Sequence, residues 1–229
     1  MAFFVAVYMT PTALALTIIA LVVAIAALWT IFFDPRMGGL IGLSRAIDAL
    51  NSFIGRWVSW LILISVLVSA VNATVRKIFN ESSNAWLELQ WYLFGAAFLL
   101  AAAYTLQQNE HIRIDILYNN YSRRKQHWVD LLGHIFFLMP FVILMICYFV
   151  PYVLLSYRSG EVSTNAGGLI IWPGKLMLLI GFFLLGLQGV SEIIKKIAIM
   201  RGLIPDTQTH VPSHQSVDEV EDLDPTEIR

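Results

Sequence analysis

Residues 57–75, WVSWLILISVLVSAVNATV, contain no charged side chain. About 20 mostly apolar residues in a helix cross the hydrocarbon core of a bilayer, and this stretch is one such span. Working outward, four more stretches read the same way. Thr12–Phe33 is free of charge, Ala85–Leu106 carries the single acid Glu88, and Trp128–Leu155 is interrupted by Pro140 and Pro151. The last begins at Pro173, a residue suited to the first turn of a helix, and continues to about Ile194. Trp57, Trp60, Trp86, Trp91, Trp128 and Trp172 fall at or near span ends, where amphipathic rings settle at the headgroup level.

Composition supports the reading. The 229 residues are 58% hydrophobic and 14% charged, against about 45–50% and about 25% in soluble domains. So few charges cannot coat a water-soluble surface, which excludes a soluble enzyme; the hydrophobicity excludes disorder of the whole chain. Cys147 is the one cysteine, so neither a disulfide framework nor a cysteine metal site is available. Ala24-Ile25-Ala26 resembles a signal-peptide cleavage site, but the segment lacks a basic leader and its apolar run is too long. Helix 12–33 is therefore expected to be retained.

Charge sets the orientation, because cytoplasmic connections are rich in Lys and Arg. The connections 34–56 and 107–127 and the segment after the last span together hold 11 of the 15 basic residues. These share one side if five helices alternate, which puts the N-terminus outside and the C-terminus in the cytoplasm. In 34–56, Leu40, Leu43, Ile47, Leu50 and Ile54 make one apolar helical stripe, with Arg45, Asp48, Asn51 and Ser52 between them. That pattern predicts an amphipathic helix in the interfacial plane. His111–Tyr121 alternates like a strand yet also suits a short amphipathic helix, and the surface setting favours the helix. The segment 201–229 is expected to be a disordered, acidic cytoplasmic tail. The expected fold class is thus an all-α integral membrane protein: a four-helix core bundle over 57–200, an extra N-terminal transmembrane helix over 1–33 and interfacial amphipathic helices, one of them over 34–56.

Ionisable groups inside spans are costly and so draw suspicion of function. Glu88 lies one turn inside its span. It is expected to reach the outer interface or to meet Arg76 or Lys77 there, or else to touch a partner subunit. Asp130 and His134 share a helical face and suggest a local hydrogen-bonded pair. Gln188, Ser191 and Glu192 are placed to bond between helices, and Ala97 and Ala101 to let helix backbones approach closely. A haem between helices needs two histidines at membrane depth; His134 qualifies, whereas His111 and His127 are expected at the surface. No nucleotide-binding loop, nucleophile elbow or metalloprotease pair occurs. A solitary carrier would show broken helices or midplane polar groups. The residues therefore indicate a membrane subunit that supports a partner, with a membrane anchor of a respiratory haem or quinone enzyme as the alternative.

Which partner is suggested by a resemblance. The stretches Val75–Asn80 (VRKIFN), Ser82–Glu88 (SSNAWLE) and Asn109–Asp115 (NEHIRID), then Ser159–Ser163 (SGEVS), Trp172-Pro173 and Leu187-Gln188-Gly189, taken in order, resemble the small membrane subunit (DctQ-type) of tripartite ATP-independent periplasmic (TRAP) transporters. The match covers about Leu43 to Met200. It implies a non-catalytic, four-helical subunit without cofactor or metal in the bacterial inner membrane. This subunit would brace a large elevator-type subunit that takes up an organic acid anion, driven by sodium and fed by a periplasmic binding protein. The implied partners are that large subunit, the binding protein transiently and the lipid bilayer, and no nucleic acid. Contact candidates carried over are Trp86, Glu88 and Trp91 at the periplasmic end of their helix, His111 and Asp115 at the cytoplasmic turn, Glu161 and Ser163 facing the binding protein, and Gln188. The runs around Trp86 and Asn165 look closest to a subgroup named for mannitol or chloroaromatic compounds. Helix 12–33 and the acidic tail lie outside the resemblance.

Overall fold

The computed structural model describes residues 37–80, 83–108 and 121–206. The expectations for helix 12–33, for His111–Asn120 and for the tail beyond residue 206 fall outside them. The described chain is helical apart from one isolated antiparallel bridge, Val162 with Ile170. We label the helices α1 (Gly38–Phe79), α2 (Asn84–Gln108), α3 (Arg123–Gly133), α4 (Met139–Ser159) and α5 (Trp172–Met200). A π-helical turn, His134–Leu138, joins α3 to α4, so that Arg123–Ser159 is one continuous rod. Four helices result that are long and apolar enough to cross a membrane: α1, α2, the α3–α4 rod and α5.

The π turn explains how the rod tolerates proline. Pro140 has no amide hydrogen, and its ring clashes with the carbonyl four residues back. Just before it, the Met139 N–H bonds to the His134 carbonyl, five residues back, which widens the ladder where the ring needs room. Pro151 lies inside α4, which continues through it to Ser159.

One sequence expectation is revised by α1. It has 42 residues, about 63 Å at 1.5 Å per residue, and the boundary placed at 56/57 is no break. Gly55 does not interrupt it, because there the Tyr104 ring lies against the backbone so closely that a Cβ would collide with it. Within the amphipathic stretch burial does not follow the two stripes: Ile47 of the apolar one is 7% exposed. Leu43 and Leu50 are exposed, whereas Ser44 and Asn51 are 2% and 1% exposed. The buried Ser44 and Asn51 find their hydrogen-bonding partners on α5.

α5 is the hub. It packs against α1, α2 and α4, while α1 and α2 also pack on each other. Half of its most apolar stretch is buried, against 11–22% in the other three spans. Small residues permit this. A Cβ on Gly181 would stand 2.8 Å from the Leu99 Cβ and 3.0 Å from its carbonyl oxygen, and one on Gly186 2.9 Å from Val142. The facing α2 contributes the buried Ala96, Ala97 and Ala103; Ala101 is half-buried. The close approach expected of α2 is thus made largely by glycines on its neighbour. At one end, Met37, Leu131, Ile193, Ile194, Ile197 and Ala198 form an apolar cluster that ties the start of α1 and the α3 segment to α5.

Candidate functional site

Polar side chains gather at both ends of the bundle. At the end where α4 turns into α5, Gly160 takes the left-handed conformation (φ 61°) that stops α4. The chain then forms a small hairpin: the Ser163 amide donates to the Leu169 carbonyl at 2.9 Å and the Ile171 amide to the Glu161 carbonyl at 3.0 Å. Alternation along this extended segment turns Glu161 and Ser163 inward and leaves Val162 exposed.

Glu88 of α2 reaches into the hairpin from below. One carboxylate oxygen accepts from the Ser163 hydroxyl and, at 2.9 Å, from the Asn165 side-chain amide; the other accepts from the Leu169 backbone N–H at 2.6 Å. Asn84, also on α2, donates to the Ala166 carbonyl at 2.9 Å. Gly168 is needed here, since a Cβ would come within 2.9 Å of the Glu88 carboxylate and 2.5 Å of the Ser163 Cβ. The expected meeting of Glu88 with Arg76 or Lys77 is therefore replaced by a clamp on the chain's own loop. A carboxylate at a span end is best stabilised by several directed donors, and the hairpin supplies them. Arg76 and Lys77 make no ion pair among the described residues.

Glu161 fastens the hairpin a second time. It accepts from Lys175 Nζ of α5 at 2.5 Å and from the Ser156 hydroxyl of α4 at 2.8 Å. The Lys175 ammonium also sits 4.1 Å from the centre of the Tyr152 ring, a cation–π contact. Donation from Lys175, and then from Ser156, holds the Glu161 carboxyl below its usual range against the opposing effect of burial.

At the other end a buried network joins α1 to α5. Asn51 Nδ2 donates to Gln188 Oε1 at 2.7 Å, and Gln188 Nε2 donates to Asp48 at 2.9 Å and to Glu192 at 3.0 Å. The Ser191 hydroxyl donates to Asp48 and lies 2.8 Å from that of Ser44. Lys195 closes the network with ion pairs to Glu192 at 2.5 Å and Asp48 at 3.1 Å. Gln188, Ser191 and Glu192 thus bond between helices, as their positions suggested. Their partners Ser44, Asp48 and Asn51 went unrecognised because a polar stripe beside an apolar one reads as a solvated face.

The third link is Lys196 Nζ to Asp130 at 2.8 Å, between α5 and α3. Asp130 and His134 are not joined side chain to side chain: His134 Nδ1 lies 2.6 Å from the Asp130 backbone carbonyl. A histidine one turn on reaches that carbonyl easily, and the carboxylate turns to the stronger charged donor. His127, expected at the surface, is 6% exposed, with Nε2 3.1 Å from Asp206. The segment after α5 folds back over it.

Of the contact candidates, Trp86 and Trp91 are exposed, at 45% and 70%. Glu161 and Ser163 are half-buried, Glu88 is buried at 8% exposure, and Gln188 is wholly enclosed. His111 and Asp115 lie outside the described residues. All four acids within the membrane-capable helices, Asp48, Glu88, Asp130 and Glu192, are bonded inside the chain. Their chemistry is structural: they hold one helix or loop to another.

Among known families, the one described as "Tripartite ATP-independent periplasmic transporters, DctQ component" matches residues 65–198. That range runs from the middle of α1 to the end of α5 and takes in the hairpin, Glu88 and the α5 half of the buried network. No curated protein and no solved structure matches the chain.

Proposed function

Because the chain belongs to the DctQ family, the small component of TRAP transporters, which works with a large DctM subunit and a substrate-binding protein, we propose that it is the fixed brace of such a complex. On this reading it steadies the large, elevator-type subunit during sodium-driven, binding-protein-dependent uptake of an organic acid anion. It performs no catalysis and carries no transport site of its own. Family membership favours this over a respiratory anchor.

One observation carries the reading: the acids of the four spans are committed to intramolecular bonds that lock helix to helix. A carrier needs polar groups free to meet its substrate near the midplane and helices that part and close. Here the groups are already taken, at the two ends of the bundle. The orientation that suits the basic-residue count puts the hairpin at the periplasmic face and the Asp48 network at the cytoplasmic face. The N-terminus is then periplasmic and the C-terminus cytoplasmic. The likeness to the subgroup named for mannitol or chloroaromatic compounds does not identify a substrate, since selection belongs to the binding protein.

Reconstitution tests the proposal. Proteoliposomes holding this chain alone are expected to take up no organic acid anion. Adding the large subunit and the loaded binding protein under an inward sodium gradient is expected to restore uptake. Uptake by the chain alone, or by the large subunit with undiminished rate when this chain is omitted, overturns the brace.

A further inference from the structure

At the end of the bundle opposite the hairpin, a cavity of about 320 Å³ opens between α1, the last turns of α5 and the segment that follows it. Its depth follows from α5. The 29 residues of that helix cover about 43 Å, the thickness of a bilayer with its headgroups. The cavity touches the final turns through Glu192, Lys195, Lys196 and Ile199, so it stands at headgroup level. Its size is that at which small-molecule pockets begin, about 300 Å³.

The lining combines paired charges with an apolar part. Arg45, which is exposed, and Asp48 lie three apart on one face of α1, and Glu192 and Lys195 come from α5. Lys196 also borders the cavity, but its ammonium is neutralised by Asp130. Two cations, Arg45 and Lys195, then stand against two carboxylates, Asp48 and Glu192, and the net charge is zero. Ile199 and Ile204 make the apolar part. Among these groups Glu192 has acceptor capacity to spare. Gln188 and Lys195 both donate to its Oε1, whereas Oε2 accepts nothing among the described residues. Glu192 is only 2% exposed, and a carboxylate oxygen kept from bulk water is costly unless a donor reaches it.

This lining selects among the molecules found at headgroup depth. A net-basic pocket there would favour an anionic lipid; a neutral one leaves the extra charge of such a lipid uncompensated. A zwitterion brings one charge of each sign. Its cation must carry N–H donors to bond Glu192, which a primary ammonium has and a quaternary choline lacks. Its phosphate suits Arg45, whose parallel N–H groups match phosphate oxygens. The isoleucines meet the glycerol and the first acyl carbons, contacts from which a water-soluble phosphate would gain nothing.

We propose that this cavity binds the head group of an ethanolamine phospholipid, with the phosphate at Arg45 and Lys195 and the ammonium at Glu192 and Asp48. The bound lipid fastens the α1–α5 junction to the leaflet. The assignment stands independently of the brace reading.

Native mass spectrometry of the full-length chain, released from nanodiscs of defined composition, tests it. From equal parts of phosphatidylethanolamine, phosphatidylcholine and phosphatidylglycerol, one phosphatidylethanolamine is expected to stay bound, preferred about tenfold over either competitor. Arg45→Ala, at an exposed position, is expected to lower that retention about tenfold. Arg124→Ala, which removes an exposed cation at the same end on α3, is expected to leave it unchanged. Glu192→Gln gives the lining one net positive charge and is expected to turn the preference toward phosphatidylglycerol; should that variant not fold, Arg45→Ala carries the test. Equal retention of the three lipids, a wild-type preference for phosphatidylglycerol, or undiminished retention by Arg45→Ala overturns the assignment. Equal losses in Arg45→Ala and Arg124→Ala overturn it too, because binding is then a matter of overall charge. Soluble phosphoethanolamine that binds as tightly as the lipid also overturns it, because the apolar part of the lining then contributes nothing.

Discussion

Replacing Lys196 by Met tests whether the α3–α4 rod is held to the hub by a buried charge pair. Lys196 Nζ and Asp130 Oδ2 are 2.8 Å apart, and their side chains are 2% and 9% exposed. At an effective dielectric of about 20 the attraction at that separation is roughly 6 kcal/mol, but withdrawing two ions from water offsets most of it. The pair is therefore expected to contribute little relative to an apolar pair of the same volume. Removing one partner is different, because it strands the other charge, at about 3–5 kcal/mol, or roughly a hundredfold to several thousandfold in the folding equilibrium. Lys196→Met and Asp130→Leu should each lose that much. The double variant should recover to within about 1 kcal/mol of wild type or exceed it, so the coupling in the cycle is at least about 3 kcal/mol. Reversible unfolding in mixed micelles, followed by tryptophan fluorescence, measures all four proteins. Additive losses in the double variant would refute the reasoning, since two uncoupled residues cannot be each other's counter-ion.

Three further outcomes follow from named contacts. Gly181→Ala places a Cβ 3.0 Å from the Leu99 carbonyl oxygen, an atom of the backbone that cannot swing aside; we expect a loss of about 1–3 kcal/mol in the same unfolding assay, with Gly181→Val worse. Glu88→Gln retains one acceptor but can present an NH₂ group to the Leu169 N–H or the Ser163 hydroxyl, so amide exchange at Leu169 should accelerate markedly while exchange in the middle of α5 stays slow. The hairpin should also loosen in acid. Glu161 has its folded pKa below the ordinary 4.5, so its stabilisation is complete above that value and disappears as pH falls through the lower folded one. Proteolysis of residues 161–170 should therefore be flat from pH 6 to 8 and rise below about pH 4.5, and Glu161→Gln should reduce the pH dependence to the part that the Glu88 carboxylate, clamping the same hairpin, contributes.

The four described spans and their helical class were legible where the signal is one of length. Residues 57–75 and 173–194 need no partner to be recognised, because a charge-free run of that length has only one economical conformation in a bilayer. The same reasoning predicted Pro173 in a first turn and Gln188, Ser191 and Glu192 between helices. It did not foresee which residues of 38–56 are buried. Ser44, Ile47 and Asn51 are buried together although they belong to different stripes, because packing on other helices decides burial and periodicity does not give it. The continuity of α1 past Gly55 escaped for a related reason: the glycine reads as a weak point until Tyr104 is seen closing over it.

What the amino-acid order settled unaided is therefore the class of the protein and the family of the subunit, since both reside in contiguous runs and short ordered motifs. Only the tertiary structure decided the partners of Glu88, Asp130 and Asp48, because each carboxylate bonds to donors more than 60 residues away along the chain: Glu88 to residues 163–169, Asp130 to Lys196 and Asp48 to residues 188–195. A charge in a span announces that it needs a partner, since hydrocarbon cannot supply one. Which of the available groups answers depends on helix packing, and that depends on where glycines such as Gly181 and Gly186 let backbones meet.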